Sequence, residues 1–344
     1  MLLLHDTSTA PPEDVTTGIW AELLADDQPP FDEFLAEALA PQEDYLSDTE
    51  RALYRHGKRL RPAVLLLAAR MVHGGAPLPR KAVQGAVSLE MLHVATLIHD
   101  DIVDGSALRR GLPSVNAARG TETAVLVGDL QFVQAIRGFV RAIDRDRDMA
   151  LVELVLDTAF QIGCGELDEL RTDMSLDTAQ LVQHYRRTAD RKTAVLFGLA
   201  AEAGVTLAGG RSSDARRAGF YGRRIGRALQ IMDDLFDLAQ DEADSGKPRG
   251  MDLLRRRASL PLVYAMEELG PDHRVSRVLR GEPVDATGLE RCVAEVRAST
   301  AFSRAYADAR AQALEAIELL RPFPASRYRY ALEDLALYIV DRTP

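Results

Sequence analysis

The chain has 344 residues, of which 47% are hydrophobic and 27% charged, and this composition can supply a large buried core. Its formal net charge of −10 argues against nucleic acid as a partner, because nucleic-acid-binding domains are usually basic. Cys164 and Cys292 are too few for a disulfide framework. They fit a reducing compartment, so we expect the protein to act in the cytoplasm.

The N-terminal region differs in composition from the rest of the chain. Residues 1–30 contain two proline pairs and show little periodicity, which predicts a mobile arm with one short helix. The first residues lack the basic and apolar regions of a signal peptide, and apolar runs such as 63–69 are too short to span a membrane. No linker rich in Pro, Gly or Ser divides residues 31–344, so we expect one all-helical domain there.

Apolar residues recur at helical spacing through most of the chain. The pattern predicts helices over residues 31–39, 45–54, 65–72, 82–103, 124–142, 151–170, 181–204, 215–238, 259–268, 288–298, 301–320 and 326–340. No alternating pattern predicts a strand ladder, so the predicted fold class is all-α. The polar stretch 239–257 interrupts this pattern, and its length favours a functional segment.

Three carboxylates lie at the end of the predicted helix 82–103. Asp100 and Asp104 are four residues apart, so they share one helix face, and Asp101 flanks them. Carboxylates this close repel one another unless a cation lies between them. Clustered oxygen ligands suit Mg²⁺, which accepts phosphate oxygens as further ligands, and the arginine pair 109–110 suits bidentate phosphate contact.

A second cluster repeats the same spacing. Asp233, Asp234 and Asp237 lie in another apolar helical context. One such cluster alone also fits a solvated acidic helix face. Two clusters among Leu, Ile, Met and Phe are hard to explain in that way, because burying carboxylates is costly without compensation. The sequence therefore predicts six metal ligands, in two triads, at a site for a metal-chelated diphosphate.

Other cationic side chains extend this hypothesis. Lys58 and Arg61 share a face if a helix begins there, and His93 lies two turns before Asp100 on the same face. Lys247 and the arginine run 255–257 follow the second triad and favour a cationic flap over an anionic ligand. The alternatives are an ordinary basic helix start, a structural histidine and a solvated basic loop.

These motifs together resemble the trans-isoprenyl diphosphate synthases, the polyprenyl synthetase family. The resemblance runs from about Gly57 to Arg342. His99 to Asp104 with the sequence Arg-Arg-Gly at 109–111 resembles the family's first aspartate-rich motif, and Gln230 to Asp237 resembles its second. The segment Gly-Lys-Arg-Leu-Arg-Pro at 57–62 and the pair Lys-Thr at 192–193 also match.

The resemblance implies an all-helical fold around a deep cavity, a homodimer, and three Mg²⁺ ions held by the two triads across that cavity. It implies that isopentenyl diphosphate is held by Lys58, Arg61, His93 and Arg110. It implies that an allylic diphosphate is held by Arg109, Lys192, Thr193, Gln230 and Lys247, with Arg257 keeping the positive charge of a family lysine. Membrane contact would be at most peripheral, through an apolar product.

Three positions depart from the family pattern. His56 stands where the family has the first Gly of Gly-Gly-Lys, and Arg256 stands where it has a Gly, which reduces backbone freedom. Gln131 stands where an apolar or aromatic residue is expected, so its effect on the cavity lining is open.

In the resembling family, the residues four and five before the first aspartate limit product length. Here these residues are Thr96 and Ala95, both small, and Leu92 lies deeper on the same helix face. Each added isoprene unit buries five carbons, worth about 3–4 kcal/mol, so growth continues until a side chain blocks it. We therefore expect an all-trans product of C20 or longer.

Three alternatives stay open. A short-chain farnesyl or geranylgeranyl synthase would use the same motifs. A terpene cyclase of the same fold has less need of a second diphosphate site, so the joint presence of Lys58, Arg61, His93 and Arg110 favours the synthase. A non-catalytic synthase subunit tends to lose one acidic triad, whereas this chain keeps both.

Overall fold

Helices make up nearly all of the regular structure, which confirms the predicted all-α fold class. The computed structural model describes residues 15–144, 148–239 and 249–341. The helices are α1 Val15–Gly18, a π-helical turn Ile19–Leu23, α2 Gln28–Leu39, a 3₁₀ helix Ala40–Tyr45, α3 Asp48–Arg55, α4 Leu60–His73, α5 Arg80–Val103, α6 Val115–Arg119, α7 Thr121–Ala142, α8 Met149–Leu170, α9 Thr178–Ala189, a π-helical turn Asp190–Ala194, α10 Val195–Leu207, α11 Ser212–Ala239, α12 Met251–Leu254, α13 Leu260–Leu269, α14 Arg274–Leu279, α15 Ala286–Ala298, α16 Thr300–Leu320 and α17 Arg327–Asp341. A hairpin of two-residue strands, β1 Leu108–Arg109 and β2 Leu112–Pro113, joins α5 to α6.

Local sequence explains several helix ends. Ser47 and Glu50 form a capping box at the start of α3, and Asp177 and Gln180 form another at the start of α9. Gly120 separates α6 from α7 with a φ of 85°, a conformation that favours glycine. The predicted helices therefore agree with the structure to within a few residues at most ends.

The N-terminal region differs from the predicted mobile arm. Residues 15–30 carry α1, a π-helical turn and the start of α2, and they bury Ile19 and Leu24 completely or nearly so. Pro29 and Pro30 lie in the first turn of α2, where a missing N–H costs nothing. The proline pair therefore begins a helix, which the sequence pattern did not predict. Residues 1–14 lie outside the described residues.

Two compact units make up the chain. The first comprises the described parts of Met1–Leu156, with Leu199–Gly219 and Arg321–Leu332. Its core is built on α4 and α5, which pack on each other, and α7 packs along α5. Both α4 and α5 are buried around most of their circumference, as expected of core helices.

The second unit comprises the described parts of Asp157–Gly198, Phe220–Leu320 and Glu333–Pro344. In this unit α13 packs against α16 and α9, and it buries seven consecutive residues from Leu260 to Met266. The expectation of one domain over residues 31–344 stays a prediction.

The surface of α7 is unusually apolar. Leu126, Val133 and Val140 are 69%, 54% and 40% exposed, and their spacing of seven residues puts them on one face. Within the described part of the chain, α7 alone is long and apolar enough to span a membrane by length and composition. One such helix is weak support for a membrane span, because core helices of soluble proteins meet the same criterion.

Candidate active site

The first acidic motif lies at the C-terminal end of α5, in the first unit. Asp100 and Asp104 are partly exposed, whereas Asp101 is only 2% exposed. The Arg109 guanidinium donates to both oxygens of Asp101, with Nε–oxygen distances of 3.0 and 3.1 Å and an Nη2–Oδ1 distance of 2.5 Å. The middle aspartate is therefore buried and binds an arginine, and the outer two are more accessible.

The β1–β2 hairpin positions the two arginines differently. Its two-residue turn, Arg110 and Gly111, has φ values of 54° and 76°, the type I′ geometry that suits right-twisted strands. Arg109, on β1, points to Asp101, whereas Arg110 donates from Nη1 to the Leu53 carbonyl at 3.0 Å. The sequence did not predict this hairpin, because two-residue strands give no periodic signal.

Arg61 and His93 lie together beside Arg110. Arg61 Nη1 donates to His93 Nε2 at 3.0 Å, so that nitrogen is the acceptor and the imidazole proton is on Nδ1. Burial lowers the pKa of His93 well below its usual range, and the positive charges of Arg61, Arg110 and Arg109 lower it further. His93 is therefore a neutral donor in a cationic surrounding. Lys58 is exposed in the loop before α4.

Glu90, which lies one turn before His93 on α5, was not predicted as a site residue. Its side chain is 1% exposed, and burial raises the pKa of its carboxyl while Arg61, Arg110 and Arg59 lower it. The Glu90-to-His93 spacing of three residues places both on one helix face. That spacing is the signal from which Glu90 could have been predicted.

The second acidic motif lies on α11, in the second unit. Its middle aspartate is again the most buried of the three. Asp233 is exposed and Asp237 is half-buried, whereas Asp234 is 6% exposed. Gln230 donates from Nε2 to Asp234 at 2.9 Å, and the Thr193 hydroxyl donates to Gln230 at 2.6 Å. Three predicted residues therefore form one hydrogen-bonded chain. In both motifs the protein engages the middle aspartate.

Carboxylates crowd this second motif. Asp237 accepts from the backbone N–H groups of Met251 and Asp252 at 3.1 Å each. Burial raises the pKa of Asp234 well above its usual range, and the charges of Asp252 and Asp233 add to that shift. Burial next to Asp237 likewise raises the pKa of Asp252 to about 7.

These shifts bear on whether the residues fit a metal ion. Crowded carboxylates with raised pKa values are the setting that a divalent cation stabilises. Among the described residues, no three His, Cys, Asp or Glu side chains form a complete metal cage. Mg²⁺ needs only one or two carboxylates when phosphate oxygens and waters complete its coordination, so the outer aspartates of each motif fit such an ion.

Lys192 lies in the π-helical turn between α9 and α10. Its Nζ donates to Glu166 at 2.8 Å and to Glu169 at 3.0 Å, both on α8. A Cβ at Gly165 would lie 2.7 Å from the Lys192 backbone nitrogen, so the close approach of α8 to this turn requires a glycine. π-helical turns recur at functional sites because the extra residue redirects a side chain.

A cavity of about 90 Å³ in the second unit is lined by three of the six predicted allylic-site residues, Lys192, Gln230 and Arg257. Lys192, Gln230, Asp234 and Arg257 all line it, and Arg257 lies 3.7 Å from Glu169. Thr193 is buried behind Gln230. The cavity is also lined by Tyr185, Asp252 and Ser259, which the sequence did not predict as site residues. The predicted site residue Lys247 lies outside the described residues.

The departures from the family pattern have distinct outcomes. Gln131 is fully buried; its Oε1 accepts from the Tyr54 hydroxyl at 2.5 Å, and its amide exchanges hydrogen bonds with Gln42 at 3.0 and 3.2 Å. Its polar atoms are therefore satisfied within the protein. Arg256 adopts φ = 56°, so an arginine holds the left-handed backbone expected of glycine.

The predicted chain-length residues follow one side of α5. Ala95 and Leu92 are fully buried, and Thr96 is partly exposed with its hydroxyl donating to the His93 carbonyl at 2.8 Å. Their assignment to chain length stays a prediction.

An all-helical chain with two aspartate triads next to arginine-bearing loops has the features of a diphosphate-using enzyme. The family model described as polyprenyl synthetase matches residues 43–296. The chain therefore belongs to the polyprenyl synthetase family, which confirms the resemblance, and it is a prenyltransferase.

Similar proteins cover almost the whole chain. It is 34% identical to the all-trans-nonaprenyl-diphosphate synthase (geranyl-diphosphate specific) of Rhodobacter capsulatus, over 93% of this chain and 96% of that protein. It is 32% identical to heptaprenyl diphosphate synthase component 2 of Geobacillus stearothermophilus, over 93% and 97% respectively. Among solved structures, polyprenyl synthase from Caulobacter crescentus CB15, complexed with calcium and isoprenyl diphosphate, gives a TM-score of 0.82 at 30% identity, covering 96% of this chain and 99% of that one.

Proposed function

We propose that the protein is an all-trans polyprenyl diphosphate synthase that condenses isopentenyl diphosphate head-to-tail onto an allylic diphosphate, with products of C20 or longer. The observation that carries this proposal is the repeated aspartate triad. In each copy the middle aspartate is buried and bonded to a neighbouring side chain, Arg109 or Gln230, while the outer two are more accessible. Relatives named heptaprenyl and nonaprenyl diphosphate synthases support a long product.

The outer aspartates would hold the metal. Asp100 and Asp104 supply one pair of oxygen donors, and Asp233 and Asp237 supply the other. We propose three Mg²⁺ ions, and the Caulobacter crescentus synthase complexed with calcium supports a divalent cation. When bound, these ions would neutralise the negative charge of a departing diphosphate. Asp101 then acts by holding Arg109, and Asp234 by its bond to Gln230.

The cationic residues would hold two different diphosphates. Arg61, His93 and Arg110, with Lys58, would bind isopentenyl diphosphate, since Arg61 bonds to the neutral His93 and the charges of Arg61 and Arg110 both act on that imidazole. In the second unit Lys192, Gln230 and Arg257, which line the cavity, would bind the allylic diphosphate together with Thr193, which donates to Gln230. The roles of Arg109 and Lys247 stay predictions from the family resemblance. Fixed donors of this kind stabilise charge as it develops on the leaving group.

The protein would catalyse this reaction mainly through proximity and orientation of the two substrates. The allylic C–O bond breaks and its electron pair leaves with diphosphate; the allylic carbon then forms a C–C bond to the terminal alkene carbon of isopentenyl diphosphate. The resulting cation loses a proton, which the released diphosphate can accept, so no protein base is required. Holding both substrates in position removes most of the entropic cost of their encounter. Water must be excluded, because it would capture the cation.

We further propose that small side chains on α5 permit long products. Ala95 and Thr96 would border the growing chain, with Leu92 deeper on the helix. Replacing Ala95 with Phe is expected to shorten the product, because the ring would block the chain's path. Product lengths measured by mass spectrometry test this, and an unchanged distribution from a folded Ala95→Phe variant would contradict it.

We propose that the protein is a homodimer that acts in the cytoplasm. Leu126, Val133 and Val140 are exposed on one face of α7, which Asp129 and Arg137 share, and these large apolar side chains support association with a second copy. The relative named component 2 makes a heteromeric partner a second possibility. Membrane contact would be limited to delivery of the apolar product.

One assay tests the proposed function. Purified protein is incubated with Mg²⁺, isopentenyl diphosphate and each allylic primer in turn, and products are sized by mass spectrometry. We expect all-trans diphosphates extended by multiples of five carbons. Release of a cyclic hydrocarbon without condensation would support a terpene cyclase instead. Products that stop at C15 would support a short-chain synthase, and inactivity until a second protein is added would support a heteromeric subunit.

A further inference from the structure

Glu90 is a buried carboxylate within a group of arginines. It lies on α5, is 1% exposed, and shares a helix face with His93. Arg61 reaches this face from α4, where it donates to His93, and Arg110 reaches it from the β1–β2 turn. Two other elements, α4 and the β1–β2 turn, therefore bring arginines close to Glu90.

Gly57 shows how closely Glu90 and Arg110 approach each other. A Cβ built on Gly57 would lie 3.2 Å from Glu90 Oε1 and 3.0 Å from Arg110 Nη1. The carboxylate and the guanidinium group therefore both border the position of that Cβ. Burial lowers the pKa of Arg110, and Arg109 lowers it further, while the Glu90 charge opposes this shift. Glu90 thus offsets the mutual repulsion of neighbouring guanidinium groups.

Burying the Glu90 carboxylate lowers the free energy of unfolding. Its second oxygen, Oε2, is buried and accepts no hydrogen bond within the described chain. A buried charge with incomplete hydrogen bonding destabilises a fold, and a buried ion pair is weak support for a stabilising role. Glu90 is therefore better explained by what it does for the arginines than by stability.

We propose that Glu90 is a positioning residue that holds Arg61 and Arg110 in the arrangement that binds the diphosphate of the five-carbon donor. This inference rests on the proposed function of the site. Glu90 touches neither substrate; it acts through the two guanidinium groups. Its carboxylate fixes their direction before the ligand arrives, so that less conformational freedom is lost on binding.

The direction in which Glu90→Gln changes ligand affinity distinguishes a positioning role from an effect of net charge alone. Glu90→Gln keeps the shape of the side chain and removes one negative charge next to an anion site. If only net charge mattered, the variant would bind an anionic ligand more tightly. If Glu90 orients the arginines, the variant binds more weakly, because the guanidinium groups lose their fixed direction.

The experiment compares the full-length wild-type protein, Glu90→Gln and Glu50→Gln. Glu50 is the matched control: it is 0% exposed, belongs to the α3 capping box, and is paired with Arg119 instead of Arg61 or Arg110. Isothermal titration calorimetry with isopentenyl diphosphate, in EDTA, gives the affinity. We expect Glu90→Gln to bind about tenfold more weakly, equivalent to about 1.4 kcal/mol, and Glu50→Gln to bind like the wild type.

Steady-state kinetics supply a readout that a merely structural role would not change. We expect Glu90→Gln to raise the KM for isopentenyl diphosphate about tenfold and to leave the KM for the allylic primer unchanged. Equal or tighter binding by folded Glu90→Gln would overturn the proposal, and so would an equal rise in both KM values.

If Glu90→Gln does not fold, Gly57→Ala replaces it, because its methyl group displaces the same pair without changing any charge. Unaltered donor affinity in Gly57→Ala would then overturn the proposal.

The two proposals fail differently. A wild-type protein that does not elongate primers contradicts the proposed function. A wild-type protein that binds the donor and elongates normally, with Glu90→Gln equal to it, contradicts only the role of Glu90.

Discussion

Three arginines have left-handed backbones, and all three lie in predicted diphosphate-binding loops. Arg59, Arg110 and Arg256 have φ values of 48°, 54° and 56°, and they are the non-glycine residues with positive φ in the described part of the chain. Such conformations cost about 1–2 kcal/mol for residues with a Cβ. Strain of this kind concentrates at ligand-binding segments, where the surrounding structure maintains it.

Arg256→Gly is expected to stabilise the fold. Glycine adopts a φ of 56° without strain, which outweighs its greater freedom in the unfolded chain and the loss of the exposed Arg256–Gly281 hydrogen bond. We expect the free energy of unfolding, measured by denaturant titration, to rise by about 0.5–1 kcal/mol.

Arg255→Gly is the control for this substitution. Its φ is −84°, so glycine relieves no strain there and should lower the free energy of unfolding. The strain argument fails if both variants lose stability to the same extent.

At the residue scale, the sequence predicted the acidic triads. It did not predict that the middle aspartate of each triad differs from the outer two in burial and in bonding partners. All three aspartates of each triad were expected to bind metal, and that assignment stays a prediction for all six. Their burial and their bonds to Arg109 and Gln230 depend on neighbouring elements, which spacing along one helix does not encode. Glu90 was missed for the same reason, since its arginine neighbours come from other elements.

At the scale of elements, a single predicted helix contains an irregular turn. Periodicity predicted one helix over residues 181–204, whereas the structure has α9, the π-helical turn Asp190–Ala194 and α10 in succession. A π-helical turn adds one residue to a helix and leaves the apolar pattern nearly unchanged, so periodicity does not detect it. Asp190, in this turn, accepts hydrogen bonds from Arg223 and Arg227 of α11, and these bonds help to stabilise the turn.

Gly165→Ala is expected to disturb this turn. The new Cβ would lie 2.7 Å from the Lys192 nitrogen and 3.0 Å from its Cα, and backbone cannot move aside cheaply. We expect a loss of about 1–3 kcal/mol in stability. Because Lys192 would be displaced, we also expect a rise of about tenfold in the KM for the allylic primer.

Gly163→Ala gives the comparison on the same helix. A Cβ there meets nothing within 4 Å, so replacing a mid-helix glycine should add about 0.5–1 kcal/mol of stability and leave the KM unchanged. If Gly163→Ala raised the allylic KM as much as Gly165→Ala, the close approach to Lys192 would not be the cause.

At the scale of the whole molecule, the exposed apolar face of α7 predicts association. The double variant Leu126→Glu, Val133→Glu places two charges on that face, and we expect it to elute at half the wild-type mass by size-exclusion chromatography with light scattering. Arg310→Glu, at an exposed polar position on α16, should keep the wild-type mass. A wild-type protein that is monomeric, or a double variant that stays dimeric, contradicts the proposed homodimer.

The all-α class and the family were predictable from the sequence, because long periodic helices and paired triads are strong local signals. The helices within residues 15–30 were not, since two proline pairs and a short apolar segment give little periodicity. Their burial depends on the rest of the first unit: Asp27 there pairs with Arg70 of α4 at 2.7 Å.

The central claim is that the outer aspartates of both triads hold the metal that activates an allylic diphosphate. The direct measurement is the rate at which labelled isopentenyl diphosphate enters extended product, for the wild-type protein and for Asp100→Ala, Asp233→Ala and the exposed control Asp272→Ala. We expect both triad variants to fall by a factor of about 100 or more, with Asp272→Ala unchanged. Elongation at the wild-type rate by folded Asp100→Ala and Asp233→Ala would contradict the claim.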